Sequence, residues 1–186
     1  MYRWYADAKV CYAYMQDVHG KDWEAFENSK WFTRGWKLQE LLASKTVRFY
    51  NSEWQLLGNK ISLGSRISKA TGIHLDVLED PARIRDHSIA ERMSWAARRR
   101  TTKVEDRTYS LLGIYGINDM TMLYGYKDTT FRMLQERILG MSDDYSIFAR
   151  EGLQQHGPGL LATSPDAFAL SGDIRPTLDA SGYKLS

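Results

Sequence analysis

Apolar and polar positions follow one style before residue 80 and another after it. In residues 10–15 nearly every side chain is apolar or aromatic, which predicts a strand buried on both faces, as in a parallel sheet. Residues 46–50 alternate in a β-like way, and residues 54–58 read as a short return segment. Between these strands, residues 29–42 hold three aromatics, an Arg-Gly turn and a short amphipathic helix. On a helical wheel Leu41 and Leu42 fall within about 60° of Leu38, and Trp36 and Glu40 share the opposite face. The leucines anchor this helix in a core, and its outer face offers one acid and one indole. Residues 1–8 read as the end of a helix leading into the first strand. Strand, helix and strand in succession make an α/β unit.

A further helix is expected over residues 63–70, stopped at Gly72, with an apolar run at residues 73–78 behind it. Glu79, Asp80 and Pro81 then break the pattern and mark a subdomain boundary near residue 80. Beyond it the spacing is helical. Ser88 with Glu91, and Thr102 with Glu105, have the Ser/Thr-x-x-Glu spacing of a capping box, in which hydroxyl and carboxylate satisfy free amides at a helix start. Ile89, Met93, Ala96 and Ala97 form one apolar face, and Val104, Thr108, Leu111 and Leu112 form the next. A third helix starts near Asp128 as N-cap, with Phe131, Leu134, Ile138 and Met141 inward. Residues 146–149 read as a short strand. The tail from Gly152 reads as loop, tethered by Leu160, Leu161 and Phe168.

Composition narrows the class of protein. The 186 residues are 43% hydrophobic and 26% charged, as in a soluble globular chain. Aromatics reach 12%, which points to a core built on rings or to exposed rings that bind something. A net charge of +2 gives no broad basic field for nucleic acid. The single cysteine, Cys11, excludes an internal disulfide and suits a reducing compartment. No apolar run approaches the ~20 residues of a membrane span, and no apolar segment follows the N-terminus as a signal peptide requires. A cytoplasmic location follows as the expectation.

Most familiar chemistries lack their residues. His19, His74, His87 and His156 are scattered without metal-ligand spacing, so no metal site is expected. Asp143 and Asp144 have no further oxygen ligands beside them and fit a turn better. There is no phosphate-binding glycine loop and no nucleophile elbow, and Cys11 has no neighbouring base. The basic run Arg98, Arg99 and Arg100 suits a helix C-terminus, with Glu105, Asp106 and Arg107 placed to pair with it. Glu40 stands out as an acid near aromatic rings. Such a pair can cleave an N-glycosidic bond, the carboxylate stabilising an oxocarbenium-like transition state while a ring stacks on the leaving base. The plain alternative is a solvated glutamate on an ordinary helix.

These residues also carry a family resemblance. Trp31-Phe32-Thr33-Arg34-Gly35-Trp36, followed by Leu38-Gln39-Glu40-Leu41-Leu42, resembles the closing motif of the fungal heterokaryon incompatibility (HET) domain. Residues 1–14 resemble the helix and strand that precede that motif. Met93-Ser94-Trp95-Ala96-Ala97-Arg98, Val104-Glu105-Asp106-Arg107 with Tyr109-Ser110-Leu111-Leu112-Gly113, and residues 123–125, 143–149 and 161–165 resemble the segment that commonly follows such domains.

The resemblance implies a role in non-self recognition and programmed cell death. It implies an α/β fold, a partial TIR-like or flavodoxin-like parallel sheet with flanking helices over residues 1–80, and a mainly helical extension over residues 81–186. Through the family's likeness to TIR domains, Glu40 inherits the catalytic role of an NAD(P) glycohydrolase, with Trp31, Arg34 and Trp36 as substrate-binding residues. NAD would then be substrate, and no cofactor is implied. Two strands that the family carries upstream have no counterpart here, so the chain reads as a truncated member. The other reading is therefore a non-catalytic interaction module, whose strand at residues 10–15 keeps an open edge for protein partners or self-association.

Overall fold

A computed structural model describes residues 2–149 and 159–175 of the chain. Helix α1 (Tyr2–Asp7) leads into strand β1 (Cys11–Tyr14), and α2 (Trp23–Glu27) follows. A 3-10 turn (Lys30–Thr33) opens onto α3 (Gly35–Ala43), which delivers the chain to β2 (Val47–Tyr50) and β3 (Leu56–Asn59). Then come α4 (Gly64–Thr71), α5 (Leu75–Glu79), a 3-10 turn (Pro81–Asp86), α6 (Ile89–Ser94), α7 (Val104–Tyr109), a 3-10 turn (Leu112–Tyr115) and α8 (Lys127–Leu139). Two more 3-10 turns, Tyr145–Phe148 and Pro165–Phe168, complete the described elements.

The fold is mixed α/β, with flanking helices on a small sheet of order β1-β2-β3. The expected parallel pairing holds between β1 and β2, with Cys11 opposite Val47 and Tyr14 opposite Tyr50. The third strand runs antiparallel to β2, with an irregularity between Phe49 and Tyr50, so the sheet is mixed rather than parallel. A turn of only five residues separates β2 from β3, too short for the crossover that a parallel partner needs.

Only one face of the sheet is buried. Ala13, Val47 and Phe49 point into the core, whereas Tyr12, Tyr14 and Leu56 are exposed. The dense run at residues 10–15 is thus a one-faced strand whose outer positions carry rings. Those rings cover one another: Tyr14 stacks on Trp54 at 4.6 Å, and Tyr12 and Tyr50 lie 5.8 Å apart. Inside, Phe26, Trp31, Phe32 and Phe49 meet edge to face at 5.3–5.5 Å, the geometry that ring quadrupoles favour.

The break at Pro81 is a 3-10 turn capped by Asp80, and a single apolar core runs across it from Ala13 to Phe168. Gly35 shows why the two sides fit. Its N–H donates to Arg100 O at 2.8 Å, Arg100 N–H returns to Thr33 O at 2.7 Å, and a Cβ on Gly35 would collide with the Thr101 methyl.

Several local expectations change. Ser88 caps α6 as read, accepting the Glu91 N–H at 3.1 Å. The second capping box does not form, because α7 starts one residue later, behind Lys103, without a side-chain cap. The third helix starts behind Tyr126, which places Asp128 inside it. Residues 146–149 form no strand; Asp144 accepts the Ser146 N–H and turns Tyr145–Phe148 into a 3-10 helix. Val104, Met141 and Leu160 are exposed, while Phe131, Leu134, Ile138 and Phe168 are inward as expected. His156 and residues 152–158 of the tail lie outside the described residues. No helix among the described residues is long and apolar enough to cross a membrane.

Candidate functional site

The site read from the sequence is assembled by α3 and the turn before it. Asp17 accepts from the Ser29 hydroxyl at 2.6 Å and from the Lys30 N–H at 2.7 Å, while Ser29 caps the turn through the Trp31 N–H. This fixes Trp31 and Phe32 inward, and both are buried. The Arg34 and Gly35 backbone then locks against residues 99–100, with Arg99 donating to Arg34 O at 3.2 Å.

Glu40 is not on a solvated face. It is 5% exposed, because α3 is covered on several sides at once: α1, α5, α7 and the Leu112–Tyr115 turn all pack on it. The amphipathic wheel assumed one buried stripe, but six of the helix residues besides Glu40 are buried too. The carboxylate is paired with Lys37 one turn earlier, Nζ to Oε2 at 2.6 Å, and Lys37 lies 5.5 Å from the centre of the Trp31 ring. On the α1 side, burial pushes the Tyr5 hydroxyl above its ordinary value, with the Glu40 charge adding to it. Trp31, Lys37 and Glu40 therefore form one group. Trp36 is half-buried and Arg34 is exposed. None of these residues lines the clefts that flank the core.

The roomiest of those clefts, about 920 Å³, lies between α1, the Pro81–Asp86 turn and α6, and carries Lys45, Asp80, Arg85 and Arg92. At its wall the Tyr115 hydroxyl donates to Ile89 O, and Arg92 lies over its ring at 4.8 Å. Burial raises the Tyr115 pKa well above that of a free tyrosine.

Of the basic run only Arg99 is buried; Arg98 and Arg100 stay exposed. Arg99 is buried and donates to Trp95 O at 2.8 Å, with its pKa brought down to about 9 by burial. Arg100 and Arg107 both reach Asp166, which also accepts the Arg98 N–H at 2.8 Å. Asp166, on the last 3-10 turn, is thus the partner that Glu105 and Asp106 were expected to be.

A second polar centre escaped the sequence reading. His74, at the start of α5, and His87, just before α6, converge on Glu91. His87 Nδ1 lies 2.8 Å and His74 Nε2 3.0 Å from the same oxygen, Glu91 Oε1. The other nitrogen of His87 faces Asp76 Oδ2 at 3.2 Å. Glu91 and His87 are buried, and the Trp95 ring stands edge-on to His87 at 5.6 Å. Glu91 Oε2 is buried without a hydrogen-bond partner. The i, i+4 spacing of His87 and Glu91 was a usable signal; the approach of His74 was not, since it depends on the turn at Pro81.

No protein-family model and no solved structure matches the chain. Over 148 residues, covering 74% of its length, it is 40% identical to the vegetative incompatibility protein HET-E-1 of Podospora anserina. It spans 11% of that protein. By that identity and coverage, this chain belongs to the family of fungal vegetative incompatibility proteins that includes HET-E-1.

Proposed function

We propose that the chain serves in vegetative incompatibility, contributing to non-self recognition that ends in programmed cell death in the cytoplasm. The observation that carries this reading is the 40% identity to HET-E-1 across 74% of the chain. Inducible expression in a filamentous fungus tests it. Growth arrest and vital-dye uptake are expected on induction, and a Gly113→Val variant, whose side chain would collide with Tyr2 and displace α1, should lose the effect. Undisturbed growth on expression of the chain would sink the reading.

Two accounts of how death is delivered follow. In the first, Glu40 acts as the acid of an NAD(P) glycohydrolase, with Trp31, Arg34 and Trp36 on the substrate. The Lys37 ammonium, 2.6 Å from Glu40 Oε2 and 5.5 Å from the Trp31 ring centre, supports it by linking the acid to an aromatic ring. In the second, the chain works by self-association or by protein contacts. This account is favoured by the exposed ring face of Tyr12, Tyr14 and Trp54, together with the β1 edge, which has no strand partner among the described residues. Incubating purified chain with NAD and NADP separates them. Turnover abolished by Glu40→Gln selects the enzyme, whereas no turnover with concentration-dependent oligomers in light scattering selects association.

A further inference from the structure

We propose that His74, His87 and Glu91 form a binding site for a divalent transition-metal ion of the zinc type. One ligand atom from each of the three residues lies within 4.8 Å of the others, and the nitrogens that approach Glu91 Oε1 are His74 Nε2 and His87 Nδ1. Tetrahedral zinc with bonds of ~2.0–2.1 Å holds its ligand atoms roughly 3.3 Å apart. The observed separations of 2.8 Å and 3.0 Å about Glu91 Oε1 need only a few tenths of an ångström of opening.

Hydrogen bonding alone leaves this cluster incomplete. For both imidazoles to bond Glu91 Oε1, each must donate to the same oxygen. His87 faces a carboxylate from each ring nitrogen, Glu91 on one side and Asp76 on the other, so it must carry two protons to satisfy both. Glu91 Oε2 still has no donor, although the residue is fully buried. A buried carboxylate oxygen without a partner is costly, and a cation removes that cost.

With a metal ion between the three ligands, each of these groups has a role. His87 binds through Nδ1 and gives its one remaining proton, on Nε2, to Asp76 Oδ2. This is the carboxylate–histidine–metal arrangement that fixes tautomer and ring orientation. The edge of Trp95 holds the His87 ring in place. Glu91 becomes a full ligand, its second oxygen turned toward the ion. His74, whose side chain is 34% exposed, lies on the solvent side, where a water can take the fourth position. Two imidazoles and one carboxylate suit zinc, cobalt or nickel; calcium and magnesium prefer all-oxygen sites.

The ligands come from the start of α5, the end of the Pro81–Asp86 turn and the first turn of α6. The ion would therefore clamp the chain on both sides of residue 80. It also accounts for Glu91 leaving the capping box: the helix start keeps Ser88 as its cap and spends the carboxylate on the imidazoles.

Cobalt(II) titration of the whole, chelator-treated chain tests the proposal. One equivalent should bind with the intense visible bands of a four-coordinate ion, be displaced by one equivalent of zinc, and raise the midpoint of thermal unfolding. His74→Ala, at the most exposed ligand, should weaken binding at least 100-fold, and Asp76→Asn, at the supporting carboxylate, about 10–100-fold. His19→Ala, in the loop after β1 beside Ser52 and Glu53, should change nothing. If His74→Ala fails to fold by circular dichroism, the Asp76→Asn shift decides. Absence of stoichiometric binding at ~0.1 mM cobalt, which would fill a site of micromolar Kd, overturns the proposal and leaves a proton-only cluster. Binding left unaltered by His74→Ala and Asp76→Asn overturns it equally.

Discussion

Glu40 and Glu91 are both buried acids on short helices, yet they are satisfied in opposite ways. Glu40 takes its counter-charge from Lys37 of its own helix, and neither of its oxygens is left buried and unpartnered. Glu91 takes one contact from His87, four residues earlier, and one from His74, brought in by tertiary structure; it spends one oxygen on both imidazoles and leaves the other with no partner. Burying a carboxylate is costly in either place. At Glu40 a sequence neighbour offsets the cost; at Glu91 the offset is partial, and the remainder points to a ligand. Burial alone therefore does not separate a structural acid from a binding one. What separates them is the polar capacity left over once protein contacts are counted.

The comparison breaks most readily at Glu91. Replacing it by alanine in chelator-treated protein removes the acceptor for two imidazoles and opens a cavity in the core. This should cost about 3–5 kcal/mol in urea denaturation, the usual penalty for breaking a buried polar cluster. Glu40→Ala should cost about 1–2 kcal/mol, because Lys37 can turn its ammonium toward water. Equal losses at the two positions would end the distinction.

A second test concerns the helix that carries Glu40. Buried Lys60 donates to Leu41 O and Ser44 O at the C-terminal end of α3, where a cation complements the helix dipole. Burial lowers its pKa to about 8. The unfolded chain holds that proton up to a pKa of ~10.4, so between about pH 8 and 10.4 the unfolded state binds more protons. Stability should therefore rise with pH across that window, by at most ~3 kcal/mol. Lys60→Met should flatten the rise. A stability that falls over the same range in wild type, with no difference in the variant, would place the lysine in water.

Asp166 gives a smaller, acid-side effect. Burial acts to raise its pKa, but bonds from Arg107, from the Arg98 N–H and from Arg100 outweigh it and bring it to about 2. A carboxylate depressed in the folded state contributes stability above the unfolded value of ~3.9, and that contribution fades as pH falls toward 2. Because Asp166 is 40% exposed, screening by water keeps the amount small. Asp166→Asn should be less stable than wild type at pH 6 and match it near pH 2, as read by urea midpoints.

How much of this was legible in the chain depends on the range of the interactions. The 3.6-residue period placed α3, and strand-like runs placed β1 and β2, because those signals lie within one element. The pairing of β1 with β2 followed from the helix between them. The exposed outer face of β1 did not, since rings on a strand look the same whether they meet a core or one another. Glu40 was placed on the correct helix but in the wrong surroundings: its burial comes from α1, α5, α7 and the Leu112–Tyr115 turn packing on α3, and no spacing within α3 records that. Ser88 announced the start of α6, whereas the Glu91 carboxylate left its expected place in the capping box for His87, one turn earlier, and for His74, which the turn at Pro81 delivers. Residues 146–149 looked like a strand because Ile147 and Phe148 are apolar, but Asp144 closes a turn there before any strand partner is available.

The smallest effect is also the sharpest test of the comparison. Lys37 and Glu40 are three residues apart on one helix, with the lysine side chain 27% exposed. A double-mutant cycle with Lys37→Met and Glu40→Gln isolates their coupling, and pairs of this kind couple by roughly 0.3–1 kcal/mol. Raising the salt concentration should reduce the coupling only slightly, since the carboxylate side of the pair is shielded from bulk ions. A value in that range makes Glu40 a locally satisfied acid, and any NAD(P) turnover lost with Glu40→Gln is then a chemical loss rather than a folding defect. A coupling above ~2 kcal/mol would instead mark a strongly desolvated pair. Glu40 and Glu91 would then differ only in the identity of their partners.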